Sequence, residues 1–412
     1  MTIMNSTPRT INFDPHTPTM EAIKTAIANA GGSIPFSEYM ELALYGPDGY
    51  YSSGRATIAA GSGDFQTWPM VSTDFCEAMA VAITKLWVAM GRPKTINIVE
   101  SGAGNGVMMK DILVWLREEQ PELYRAAHIH IIEPGELTTQ QRRTIAGKND
   151  LPMRGSRAEA CSSADNRKDL EKVQWHRGSA IDFDVTQIST AIFISNELPD
   201  AFPVEVVRRK HGVLEQEYVE LRNTGLVAIW KPLQHAVQEY ITEFSVMIHE
   251  GYEVAINLNA VQWQKRLNKL HRGGIITIDY GNNGSREFKS PGQENSLKNT
   301  LRAALSRRTK PVGAVRTYPS GTGCLELPGE LDMTADVDFA VLAKVATKDG
   351  LDVAFFGTQT DFLVACGVPT LEQISSAPSN IRTKATINML SSGGFRALVL
   401  ARGVTVDYQV KQ

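Results

Sequence analysis

Three glycines spaced two apart, Gly102, Gly104 and Gly106, follow a strand-like run, Thr95-Ile-Asn-Ile-Val-Glu100, that ends in a carboxylate. Apolar residues then recur at helical intervals from Val107 to Leu116. A strand, a glycine-rich turn and a helix N-terminus let a small ligand approach backbone closely, because glycine has no Cβ to hold it off. The acid decides which kind of ligand. Glu100 would repel a pyrophosphate and would suit a cationic or amine-bearing molecule. The glycine spacing also departs from Gly-x-Gly-x-x-Gly, which disfavours a nicotinamide dinucleotide. A second run, His128-Ile-His-Ile-Ile-Glu133, ends in an acid too. A further apolar run, Thr190 to Ser195, opens into Asn196-Glu197-Leu-Pro-Asp200, which sets an amide and two carboxylates where open α/β sheets bind ligands.

Strands and helices must alternate to hold these residues at one end of a sheet. Apolar helical patterns cover Met20 to Ala30, stopped by Gly31-Gly32, and about Ser72 to Met90, stopped by Gly91-Arg-Pro93. Ser37 is placed to cap a helix over Glu38 to Leu42. Leu137 to Ile145, 234–247, 257–270 and Val337 to Val345 read as further helices. Val173 to His176, Gly273 to Tyr280, Leu351 to Gly357 and Phe395 to Ala401 read as further strands. Val204 to Arg209, Val213 to Leu221 and Leu226 to Trp230 alternate around Gly- and Asn-containing turns, the pattern of an antiparallel meander. The whole predicts a parallel-dominated, doubly wound α/β sheet. We divide the chain into an N-terminal tail and helical segment, 1–92, and a main domain, 93–412. That domain carries insertions at about 147–172, 204–250 and 282–330, the last holding a basic run from Arg302 to Lys310 that reads as a solvated face.

At 412 residues and a net charge of −3 the chain has ample core and no electrostatic mark of a nucleic-acid binder. Cys76, Cys161, Cys324 and Cys366 lie far apart, which argues against a zinc site or a disulfide framework and fits a reducing compartment. His128 and His130 alternate on one strand without metal-ligand spacing, so no metal is expected. No apolar run reaches membrane-spanning length. The start is polar and a poor match to an Arg-rich amphipathic presequence. A cytoplasmic location is expected, with the mitochondrial matrix as the eukaryotic alternative.

Several stretches, in order, resemble one family. They are Ile34-Pro-Phe-Ser-Glu-Tyr-Met40, Gly49-Tyr-Tyr51, Gly63-Asp-Phe65, Glu100 to Gly106, Glu133-Pro134 with Gln141-Arg142, Asn196 to Val204, Ile278-Asp-Tyr-Gly281 and Leu331 to Phe339. The family is the MidA-like branch of the class I S-adenosylmethionine-dependent methyltransferases, relatives of the mitochondrial complex I assembly protein arginine methyltransferase. The resemblance implies a Rossmann-like class I sheet, S-adenosyl-L-methionine as cofactor, and methylation of a protein arginine. It implies that Glu100, Gly102, Gly104 and Gly106 cradle the cofactor and that Glu133 accepts its ribose hydroxyls. Asp182 would meet the adenine amino group, Asn196 the methionine end, and Asp64 the amine, with Phe65 as a lid. Glu197 would face the methyl acceptor, supported by Asn196 and Asp200.

The chain departs from the family pattern in three places. Ser101, Ala103 and Asn105 replace the usual residues between the glycines. Leu198-Pro199 replaces an aromatic pair, and Trp68-Pro69-Met70 stands where Ser-Pro-Glu is usual, so one acid is missing. The cofactor side is thus kept and the acceptor side altered. Two alternatives follow: N- or O-methylation of a small metabolite, and a non-catalytic assembly factor for a respiratory complex. A scaffold without turnover would have no need of Glu100, Glu133 and three glycines. The expected partners are a protein or small-molecule acceptor and a second copy in a homodimer, without nucleic acid or membrane insertion.

Overall fold

The computed structural model describes residues 16–53, 67–133, 137–147, 166–188, 190–223, 225–282, 315–318, 322–375 and 381–408. Asp64, Phe65, the run Arg302 to Lys310 and most of the 147–172 and 282–330 segments lie outside them. In chain order the strands are β1 (Ser33–Pro35), β2 (Ile96–Ser101), β3 (Ala127–Glu133), β4 (Val173–Arg177), β5 (Thr190–Asn196), β6 (Glu205–Lys210), β7 (Val213–Arg222), β8 (Gly225–Lys231), β9 (Glu253–Ile256), β10 (Arg272–Asn282), β11 (Val315–Tyr318), β12 (Asp332–Ala335), β13 (Val337–Asp338), β14 (Asp352–Thr358) and β15 (Phe395–Arg402).

The main sheet has the order β14-β15-β10-β5-β2-β3-β4, with β13 alongside β10. The five strands from β10 to β4 run parallel, and β15 is antiparallel to both its neighbours. This is the expected doubly wound α/β sheet. Its central strands are Ile- and Val-rich because both faces are covered and neither meets water. One face packs Ile98, Ile131, Ile194 and Ile276 against the helices Thr73–Ala89 and Val107–Glu119. The other packs Val99, Phe193, Ile275 and Leu398 against Trp263 of the helix Leu258–Leu267 and Phe339 of the helix Phe339–Lys348. Strand order reverses between β2 and β5, which opens a crevice at their C-terminal ends.

The expected meander forms β6, β7 and β8, and β1 and β9 extend it to a five-stranded antiparallel sheet. β1 has three residues including a proline, too short for alternation to register; its pairing of Ile34 with Val219 reveals it. The helices Pro18–Asn29 and Phe36–Tyr45 pack on this second sheet, whereas Thr73–Ala89 packs on the main one. Two local expectations are corrected. Ser37 does not cap its helix, which begins at Phe36 after Pro35; its hydroxyl donates to Glu205 instead. The helix expected from Val337 begins at Phe339, because the Asp338 carboxylate accepts the N–H groups of Ala340 and Val341.

The segment read as a surface insertion ends in a buried anchor. Asp169 accepts from Arg117 Nη1 at 2.9 Å and from the Tyr124 hydroxyl at 2.6 Å. Burial raises its carboxyl above the usual range, and these partners oppose that. Arg117→Ala strands a buried carboxylate and is expected to cost about 2 kcal/mol, read as a lower urea midpoint at unchanged slope. A loss below about 0.5 kcal/mol, the scale of a surface pair, would contradict this.

Candidate active site

The C-terminal ends of β2, β3 and β5 surround a cleft that opens to solvent. Glu100, Gly102, Gly104, Glu133, Asn196 and Glu197 all line it. The three glycines have φ of +70°, +54° and +82°, a region that side chains disfavour. Space is also limiting. A Cβ on Gly102 would lie 2.9 Å from Leu198 Cδ1, and one on Gly106 would lie 3.2 Å from Gln141 Cα. Gly106 does not line the cleft; it turns the chain into the helix Val107–Glu119, whose first N–H bonds to Asn105 Oδ1 at 3.2 Å.

Two acids near the ends of the adjacent strands β2 and β3 line the cleft together. Glu100 is 1% exposed, and its Oε2 has no hydrogen-bond partner. Burial pushes its carboxyl up to about 8, with the negative charge of Glu133 adding to the effect. Burial pushes Glu133 up to about 7, while the Gly104 N–H and the Gln141 amide hold it down. No Lys, Arg or His is among the described residues that line the cleft. A ligand that brings positive charge and hydroxyl donors would supply what the protein does not.

The other end of the cleft is also built of acceptors. Asn196 Nδ2 donates to Glu197 Oε1 at 3.1 Å, which leaves Asn196 Oδ1 buried without a partner. Glu197 is held at φ +50°, with its N–H donating to the Ile278 carbonyl at 2.9 Å. A left-handed non-glycine residue costs about 1–3 kcal/mol and persists where surrounding contacts over-determine it. Asp279 supplies one such contact: its carboxylate accepts the Asp200 N–H at 3.1 Å. Burial and the charge of Asp200 push Glu197 up to about 8; burial and Asp332 push Asp200 to about 7. Tyr45 and Tyr51 stack with ring centroids 5.4 Å apart. The Tyr45 hydroxyl donates to the Ala201 carbonyl at 3.0 Å and that of Tyr51 to Asp332 at 2.8 Å. Among the described residues no three acids are arranged to hold a metal ion.

Not every residue singled out in the sequence reaches the cleft. Asp200 is buried behind it rather than on its lining. Asp182 is exposed, pairs with Arg266 at 3.3 Å and is not among the lining residues. Met70 and Leu198, the two acceptor-side departures, do line it. His130 is a core residue: its ring nitrogens lie 2.9 Å from His176 Nε2 and 3.0 Å from Asn97 Oδ1. Nothing local in the sequence marks Asp279, Asp332, Tyr45, Tyr51 or Gln141 for a role at the site, although all but Tyr45 lie in family-like stretches.

The raised carboxyls set the pH dependence of the ligand-free fold. From about pH 4.5, where the unfolded chain loses these protons, to about pH 8 the folded protein retains protons on Glu100, Glu133, Glu197 and Asp200, so stability falls as pH rises. His130, depressed to about 4 by burial and by His176, opposes this between about pH 4 and 6.5, one group against four. The urea midpoint should therefore fall as pH rises from about 5 to about 8, and Glu100→Gln should stabilise the ligand-free protein at pH ~8. A midpoint that rises from pH ~6.5 to ~8 would contradict this assignment.

Comparison with known proteins agrees with this geometry. The family model described as "Putative S-adenosyl-L-methionine-dependent methyltransferase" matches residues 78–357. Protein arginine methyltransferase NDUFAF7 of Danio rerio is 26% identical over 370 residues, covering 86% of this chain and 78% of that protein. The Homo sapiens protein of the same name is 22% identical, covering 81% and 70%. A Burkholderia thailandensis protein crystallised with S-adenosyl-homocysteine shares the fold, with a TM-score of 0.71 and 22% identity, covering 96% of this chain and 97% of that one. The chain belongs to this family of S-adenosylmethionine-dependent methyltransferases, in its MidA-like branch.

Proposed function

We propose that this methyltransferase acts on the guanidinium of an arginine in a protein substrate, as the names of its NDUFAF7 relatives state for them. One observation carries the reading: the acceptor end of the cleft offers hydrogen-bond acceptors and negative charge. Asn196 Oδ1 and the Glu197 carboxylate are acceptors, and Tyr45 and Tyr51 have already committed their protons. A guanidinium brings five N–H donors in a plane and a permanent charge, which is the complement of such a surface.

The residues fit the cofactor as well. Glu100, with its orphaned buried oxygen, takes the positively charged methionine part, and Asn196 lies beside it. Glu133 takes the ribose hydroxyls, and Gly102 and Gly104 let the ligand lie against backbone. When bound, S-adenosylmethionine supplies an activated methyl group on a sulfonium. The chain's own task is alignment, exclusion of water and management of charge. Glu197 ionises against the incoming cation and pins one face of the guanidinium, leaving a nitrogen lone pair free to attack. Methylation would form the N–C bond as the methyl–sulfur bond breaks to leave a neutral thioether, and the nitrogen's surplus proton would pass to Glu197, which its own burial and Asp200 make a good base near neutral pH.

The test is methyl transfer from labelled cofactor to arginine-containing peptide arrays and, in parallel, to a panel of small amines and alcohols. Label on arginine peptides is expected. Glu197→Gln should lower that turnover by about 100-fold or more while changing S-adenosylhomocysteine affinity less than about twofold. Label confined to small molecules, or a fully active Glu197→Gln enzyme, would overturn the arginine reading.

A further inference from the structure

Gln141 is fully buried, although the helix that carries it, Thr138–Ile145, is otherwise strongly polar. Its amide is used completely. Nε2 donates to Glu133 Oε2 at 3.2 Å and to the Gly104 carbonyl at 3.0 Å. Oε1 accepts the indole N–H of Trp175 at 3.1 Å. The indole is a donor only, so it fixes which end of the amide faces the acid: oxygen toward Trp175, nitrogen toward Glu133. Trp175 is itself held, with the Arg142 guanidinium 3.9 Å over its ring. A second contact ties the same residue to the glycine turn, where Gly106 leaves no room between backbone and Gln141.

We propose that Gln141, oriented by Trp175, is a positioning residue that sets the ribose specificity of the cofactor site by fixing the Glu133 carboxylate. This rests on Glu133 accepting the ribose hydroxyls. An ionised carboxylate offers about four lone-pair directions. The Gly104 N–H and the Gln141 N–H take two of them inside the protein. Glu133 also lines the cleft, so the acceptor positions left over are enough for the two vicinal hydroxyls of one ribose. Without the Gln141 amide the carboxylate is free to rotate about its last bond and loses a donor that favours its ionised form. Both effects weaken the reading of hydroxyls more than the binding of the rest of the ligand.

The experiment measures dissociation constants of S-adenosylhomocysteine and its 2′-deoxyribose analogue for the full-length protein, with thermal melts as a control for folding. The wild type is expected to prefer the ribose form, and Glu133→Ala to remove that preference. Gln141→Leu should weaken S-adenosylhomocysteine by about tenfold and the deoxy analogue by less than about threefold, so that discrimination collapses. Gln141→Glu retains the length and places a second carboxyl against Glu133. Its affinity for S-adenosylhomocysteine should be poor at pH ~8 and recover toward wild type near pH ~6, where the new carboxyl is protonated and donates. Trp175→Phe should lose part of the discrimination, since the amide is then free to flip.

A merely structural role predicts equal losses for both ligands and no recovery at low pH. Equal losses in Gln141→Leu, with Glu133→Ala still abolishing discrimination, would overturn the role of Gln141 alone. A wild type that binds both ligands equally would overturn the Glu133 reading and, with it, this one.

Discussion

Burial of Glu100 and Glu133 at the ends of adjacent parallel strands, without a cation from the protein among the residues described around the cleft, is the constraint on which the site depends. Removing one carboxylate from water costs several kcal/mol unless the charge is compensated, and each makes the other harder to ionise. The fold meets that cost in part by protonation, which is why both groups sit near neutral pH rather than near 4.5. Part is left for the ligand. A molecule that carries an amine and a sulfonium at one end and a ribose at the other supplies the missing positive charge and donors. In the reading proposed above, the acids would favour S-adenosylmethionine over phosphate-bearing nucleotides by sign of charge.

The rest of the molecule serves to hold that arrangement and to close its far end. The parallel sheet fixes the spacing of the acids, since Glu100 and Glu133 end neighbouring strands and Asn196 ends the strand on the other side of β2. The strained link after β5 is held by the end of β10, through the Ile278 carbonyl and the Asp279 carboxylate. The second sheet and the N-terminal helices bring in Tyr45 and Tyr51, whose hydroxyls are anchored on Ala201 and Asp332. The cofactor end thus belongs to the main sheet. The acceptor end is shared between that sheet and the elements added to it.

What could be read from the sequence follows from how local each signal is. Glu100, the glycines and Glu133 announce themselves because strand, acid and turn are contiguous, so their geometry is set within a few residues. Asn196 and Glu197 are legible for the same reason, at the end of an apolar strand. Asp279 and Asp332 act through partners 79 and 281 residues away in sequence, and nothing local distinguishes them from turn or capping acids. Gln141 hides in a run of polar residues whose composition says surface, although burial on one face of the helix overrides it. Asp182 follows the strand β4 as a nucleotide-binding acid would, and in the ligand-free structure it pairs with Arg266, a partner 84 residues away that nothing local announces. β1 was invisible because three residues carry no periodicity, while the strand it pairs with, β7, is ten residues long and was plain.

The most direct test of the account is the proton balance of cofactor binding. Titration of the protein with S-adenosylmethionine at pH ~7, in two buffers of different ionisation enthalpy, reports the protons exchanged. Because Glu100 and Glu133 are largely or half protonated at that pH without ligand and must be ionised to hold it, binding should release about one proton, and Glu100→Gln should lower that number. Tight binding with no buffer dependence, or with net proton uptake, would contradict the claim that two buried, uncompensated carboxylates define this site.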